Sequence, residues 1–181
     1  MSNKLYVNIC ALSMLISFTH ASAAIVIGAG NTAAAPGTTA QIPFIVQKAA
    51  NDAGGFASAT VNFSFNSAVL SAAPTFTASP MSPWPGIFIL GCTFNMPGEA
   101  SCGFATLPPF ANPVVPMGNY IIGTLNLPLA LAISFPQSIN AVIEECTDQS
   151  GNVLPPGSCA AQNGMIVFAD PPPFMFSNGF E

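Results

Sequence analysis

The sequence predicts an all-β domain, a two-sheet antiparallel β-sandwich of jelly-roll or immunoglobulin-like type with eight or nine strands. Three observations carry that prediction. No segment sustains the period of an amphipathic helix, about 3.6 residues. Runs of β-branched and aromatic residues recur between short clusters of Gly, Pro, Asn and Ser. Residues 56–65 (FASATVNFSF) alternate, with Val61, Phe63 and Phe65 on one face and Thr60, Asn62 and Ser64 on the other, as a half-buried strand requires.

The elements follow in order. Residues 25–27 open the domain, and Ala35-Pro36-Gly37 turns the chain into a strand over 38–47. Pro43 lies inside that strand and donates no backbone hydrogen bond, which predicts an edge position or a bulge. The alternating strand 56–65 comes next, then 75–78, 86–94, 101–106, 120–131, 139–146 and 165–168. The Pro-rich stretches 74–85 and 108–116 are the longest irregular connections, and such loops commonly carry binding surfaces.

Residues 1–23 read as a secretory signal: Lys4 supplies the positive start, residues 9–18 (ICALSMLISF) the short apolar segment and Ala21-Ser22-Ala23 the cleavage site. The sandwich is expected over 24–169. Residues 170–181 form a Pro-rich linker, Pro171-Pro172-Pro173, and a tail ending in FMFSNGFE, whose three phenylalanines either cap a sheet edge or face a partner. Every apolar run after the signal is broken short of the ~18 residues a spanning helix needs, so no membrane span is expected. The localisation that follows is secreted, periplasmic or cell-surface.

Cleavage removes Cys10 and leaves Cys92, Cys102, Cys146 and Cys159, an even number for an oxidising compartment. Four cysteines allow three connectivities. Spacing favours local pairing, because Cys92 and Cys102 flank Met96-Pro97-Gly98 symmetrically and Cys146 and Cys159 flank a turn-rich segment. Zinc is disfavoured, since no C-x-x-C knuckle is present and the mature chain has no His.

Charge is scarce: two Lys, no Arg, seven acidic residues, and a formal net charge of -5 that becomes -6 once Lys4 is removed. A nucleic-acid partner needs a cationic face, which this chain cannot build. Catalysis by a Ser-His-Asp or Cys-His arrangement lacks its base. Glu144 and Glu145 are adjacent, so regular strand geometry sends them to opposite faces and keeps them from acting together as glycosidase carboxylates, which leaves a pairing of either with Asp148 or Asp170. Asp148-Gln149-Ser150-Gly151-Asn152 has the oxygens of a truncated calcium loop without its further acidic ligands, and a turn explains its Asp, Gly and Asn. No enzyme activity, cofactor or metal is therefore expected. Two aromatics in Pro-flanked loops, Trp84 and Phe110, are the candidate binding residues, either stacking on a neutral sugar or plugging the ends of the sandwich.

The order of turns and strands resembles the cohesin-type sandwich. The likeness runs from Ile25-Val26-Ile27-Gly28 through Ala35-Pro36-Gly37-Thr38, then Gly54-Gly55-Phe56 with the following strand into Asn66-Ser67-Ala68-Val69-Leu70. It continues in Gly118-Asn119-Tyr120-Ile121-Ile122-Gly123 and closes at Asp148-Gln149-Ser150-Gly151 and Asn163-Gly164-Met165. Asn66 and Thr38 stand where the family usually has Asp, and the two cysteine pairs are atypical. The resemblance implies a non-catalytic module that recognises a secreted or surface protein, dockerin-like in type, with contacts of shape and apolar fit in place of charge steering. The alternative is a carbohydrate-binding module for a neutral polysaccharide, using Trp84.

Overall fold

The computed structural model describes residues 25–49, 55–79, 87–106 and 117–169, with the backbone alone for 87–90 and 106. Eleven strands fill these residues: β1 (Ile25–Ala29), β2 (Thr32–Ala34), β3 (Thr39–Lys48), β4 (Phe56–Ser64), β5 (Thr75–Ala78), β6 (Ile87–Thr93), β7 (Glu99–Thr106), β8 (Gly118–Pro128), β9 (Gln137–Asp148), β10 (Cys159–Gln162) and β11 (Gly164–Phe168). All nine expected strands are among them. The two additional ones are β2 and β10, three and four residues long and made mostly of small side chains.

The strands form two sheets, a five-stranded sheet A in the order β10-β1-β3-β8-β5 and a six-stranded sheet B in the order β2-β11-β9-β4-β7-β6. Pairing is antiparallel except at two places: β1 with β10, and β2 with β11, are parallel. Both exceptions have one cause. After Ala29 the chain leaves sheet A and re-enters as β2 in sheet B, and after Gln162 it makes the same change through Asn163, so each terminal segment serves both sheets. The crossing is tight. A Cβ on Gly164 would lie 2.5 Å from the Gly30 carbonyl oxygen, and one on Gly28 would lie 2.0 Å from that of Gln162.

Where β11 leaves β9, the Asn163 side-chain oxygen accepts a hydrogen bond from the Ala141 amide at 2.8 Å, replacing a lost ladder partner. Asn163→Ala is expected to cost about 1 to 3 kcal/mol, the penalty of an orphaned part-buried amide, read as a lower midpoint in urea unfolding. Pro43 obeys the same rule. It lies in a central strand, yet β1 pairing ends at Phe44, and Gly30, leaving the sheet, donates to the Pro43 carbonyl at 2.8 Å. The missing N–H of Pro43 faces that departure, beside a register shift between Phe44 and Ile45.

The core lies between the sheets and is organised around Phe44, 2% exposed. Its ring meets Phe63 of β4, Phe104 of β7 and Phe76 of β5 edge-on, at centroid distances of 5.1, 6.0 and 6.4 Å. Phe56 extends the cluster through Phe104 at 5.7 Å. Sheet A therefore interlocks with sheet B through aromatic edges. Among the described residues, no helix is long and apolar enough to cross a membrane.

Candidate functional site

The cysteines meet as Cys92 with Cys102 and Cys146 with Cys159, both pairs at disulfide distance. Cys92 and Cys102 stand directly opposite each other on β6 and β7, with Cα atoms 4.0 Å apart. Cys146 and Cys159 tie β9 of sheet B to β10 of sheet A. Such pairs fit an oxidising compartment. Trp84, Phe110, the signal segment 1–23 and the tail 170–181 lie outside the described residues.

The outer face of sheet B follows from the alternation that buries Val61, Phe63, Cys102 and Phe104. It presents Ser58, Thr60 and Asn62 of β4, Glu99 and Ser101 of β7, and Asn140 and Val142 of β9. The expected opposition of Glu144 and Glu145 is not found. β9 carries a bulge where Val61 faces Ile143 and Thr60 faces Glu145, so Glu144 is an extra residue in the ladder. Ile143 packs on the core, while the Glu144 carboxylate accepts a hydrogen bond from the outward Asn62 amide, and Glu145 stands outside with Thr60. The bulge thus places both carboxylates on one face. No Gly or Pro marks that bulge locally, and only the burial of Val61 against Ile143 reveals it.

Glu99, Glu144, Glu145 and Asp148 are the four acidic residues among those described, and all belong to strands of this sheet. Lys48, the one cation among the described residues, is 9% exposed at the end of β3 in sheet A, in register with the buried Ile25. Among the described residues the acidic side chains and the lysine therefore belong to different sheets.

Asn62, Glu99, Ser101 and Glu144 line a depression of about 230 Å³. While the Asn62 amide nitrogen donates to Glu144, its Oδ1 is buried without a hydrogen-bond partner. An acceptor left without water or a protein donor costs about 1 to 3 kcal/mol. Asn95 and Met96 border this depression and also a second, larger one of about 440 Å³. The larger groove is walled by Leu70, Pro74, Phe94 and Pro97 at the turn joining β6 to β7. Its other wall is the 3-10 turn Ser67–Val69, capped by Asn66, whose Oδ1 accepts from the Ala68 amide at 3.0 Å. Asn66 thus performs the capping for which Asp is the common alternative. Met96 is 58% exposed at the junction. Acceptors and an apolar groove therefore adjoin, an arrangement that neither the aromatic content nor the charge count of the sequence signals.

Asp148 is engaged by its own turn. Its Oδ1 accepts from the amides of Ser150 and Asn152 at 2.7 and 2.9 Å, and its Oδ2 from the Asn152 side chain at 3.1 Å. These bonds, the Asn152 side chain first, hold the carboxyl below its ordinary pKa. The turn's stabilisation is complete above about pH 4, where an unfolded aspartate titrates, and is lost as pH falls through the lower folded value. Asn152→Ala is expected to raise the Asp148 pKa toward the ordinary value, measured by carboxyl carbon NMR titration. Among the described residues, no three His, Cys, Asp or Glu side chains come together as a metal site.

No protein-family model and no curated protein matches the chain. Solved structures do. The seventh ScaB type I cohesin from Pseudobacteroides cellulosolvens is 11% identical with a TM-score of 0.62, covering 83% of this chain and 95% of its own. A chain of a type I cohesin-dockerin complex from Clostridium thermocellum is 13% identical with a TM-score of 0.59, covering 80% and 99%. A non-cellulosomal cohesin from the hyperthermophilic archaeon Archaeoglobus fulgidus is 16% identical with a TM-score of 0.55, covering 82% and 93%. The fold is cohesin-like, and at these identities the likeness is one of fold.

Proposed function

We propose that this cohesin-like sandwich is an exported, non-catalytic protein-binding module that receives a dockerin-type partner on the outer face of sheet B. The observation that carries the reading is the junction of Asn62, Glu99 and Glu144 with the apolar groove beside Met96. The two exposed carboxylates accept hydrogen bonds and offer none of their own, so the matching surface presents donors, Lys, Arg, Ser or Thr. The groove takes an apolar side chain set next to those donors. A buried anchor with charged contacts around it is the usual division of labour at a protein interface. The fold supports the class of partner, since one of the similar structures is a cohesin-dockerin complex.

Export rests on residues 1–23 and agrees with the paired cysteines. Non-catalytic action accords with Asp148 being engaged in its own turn. The test is capture from the culture medium and envelope of the producing cells on immobilised domain, in parallel with depletion by insoluble cellulose, chitin and xylan. The reading predicts a retained protein with donor-bearing surface residues and no depletion. Depletion that Trp84→Ala abolishes, with no protein retained, favours the polysaccharide-binding alternative and contradicts this one.

A further inference from the structure

The chain leaves the sandwich at the end that carries the apolar groove. Ser64 of β4 faces Glu99 of β7 on one side and Asn140 of β9 on the other, and β9 extends past that level to Gln137, opposite Ile166 of β11. β11 therefore finishes at the same end of the domain as the turn joining β6 to β7. Just past it, the Ala169 amide donates to the Ala34 carbonyl at 3.0 Å. Twelve residues follow, 170–181, and of these only Asp170 and Glu181 ionise. The groove is of matching chemistry. None of the residues lining it ionises, Leu70 and Phe94 in its walls are only partly buried, and Met96 stands exposed at its rim.

We infer that the groove takes Phe174 and Phe176 of the same chain, so that the domain carries its own competitor for the recognition surface. Reach selects this occupant. Three strand spacings of about 4.8 Å, with a rise of about five residues at about 3.3 Å each, put Ala169 roughly 20 Å from the turn joining β6 to β7. A spacer built on Pro171-Pro172-Pro173 advances about 3.1 Å per residue, which carries Phe174 to about 15 Å and Phe176 to about 22 Å. The same stiffness carries both rings past Val167 and Phe168, the exposed apolar residues nearest the exit. In an extended segment residues two apart project to one side, so the two rings face one surface and Met175 turns away. The groove, of about 440 Å³, is a recess whose walls surround a ring, whereas Met165 stands on an open sheet face. A short tether holds the rings at a local concentration of about a millimolar, so a contact too weak to retain a free peptide retains the attached one. A partner then has to displace them before seating its own apolar side chain, and its apparent affinity falls with the fraction of open domain, a consequence that rests on the function proposed above.

Docking is read on the exported chain without any partner. Nuclear Overhauser contacts between the Met96 methyl and the ring protons of Phe174 or Phe176 are expected. The amide shifts of Ala72, Asn95 and Gly98 are expected to move when both phenylalanines are changed, Phe174→Ser with Phe176→Ser, and to stay constant on dilution, as a contact within one chain requires. Both substitutions lie outside the sandwich, so its folding is not at stake. The double variant is also expected to bind the protein captured from the culture medium about tenfold more tightly than the native chain, the factor for a groove open in about a tenth of the molecules. Identical groove shifts in the two chains, ring contacts to Met165 or Phe168 in place of Met96, groove shifts that vanish on dilution, or equal partner affinities overturn the inference. Ring contacts to Met96 in a chain that captures no partner uphold the docking and overturn only the proposed function.

Discussion

Replacing Phe44 with alanine is expected to destabilise the domain by about 3 to 5 kcal/mol, enough to remove a large part of a typical domain's stability. Phe44 is in edge contact with aromatics of three other strands, Phe63, Phe76 and Phe104, and it is 2% exposed. Truncation loses the transfer free energy of the ring and leaves a cavity that strands on both sides, held by their ladders, cannot close. Phe44→Leu retains most of the volume and is expected to cost markedly less. Urea unfolding of the two variants measures both effects. Equal losses would show that volume at this position does not hold the sheets together.

Reversing Glu99 and Glu144 together to Lys is expected to weaken partner binding by about 100-fold while moving the thermal midpoint little. Both carboxylates are exposed on the outer face of sheet B, so the fold does not depend on them. On the proposed function they supply a partner with acceptors and a local negative field, and the field leaves a second signature. Affinity of the native domain falls with added salt, and that of the reversed variant falls less or rises, since screening beyond about 10 Å at 0.1 M removes attraction in one case and repulsion in the other. Titration calorimetry at two salt concentrations separates this from a loss of apolar contact, which is insensitive to salt over that range.

Much of the architecture was legible because alternation is strong where strands are half-buried. Val61 and Phe63 share an inward face as alternation requires, and of the edge position or bulge expected at Pro43 it is a register shift that occurs, between Phe44 and Ile45 of a central strand. β2 and β10 were not legible. Thr32-Ala33-Ala34 has a single branched side chain and Cys159-Ala160-Ala161-Gln162 has none, and they are extended because β11 and β1 pair with them in parallel across long sequence separations. The site was harder still. Trp84 and Phe110 lie outside the described residues, and the described surface is built from Asn62, Glu99 and Glu144, common polar residues on three different strands. The bulge that brings Glu144 and Glu145 to one face depends on the pairing of β9 with β4, a tertiary event that breaks the local rule of alternation.

The measurement that bears most directly on the recognition surface is amide chemical-shift mapping of the labelled domain as captured partner is added. The account predicts perturbations at Asn62 on β4, at Glu99 and Ser101 on β7, at Glu144 on β9 and around Asn95 and Met96, with Gln41, Ile45, Ile121 and Thr124 of sheet A unchanged. Perturbations concentrated on β3 and β8, with the neighbourhood of Asn62 silent, would contradict it.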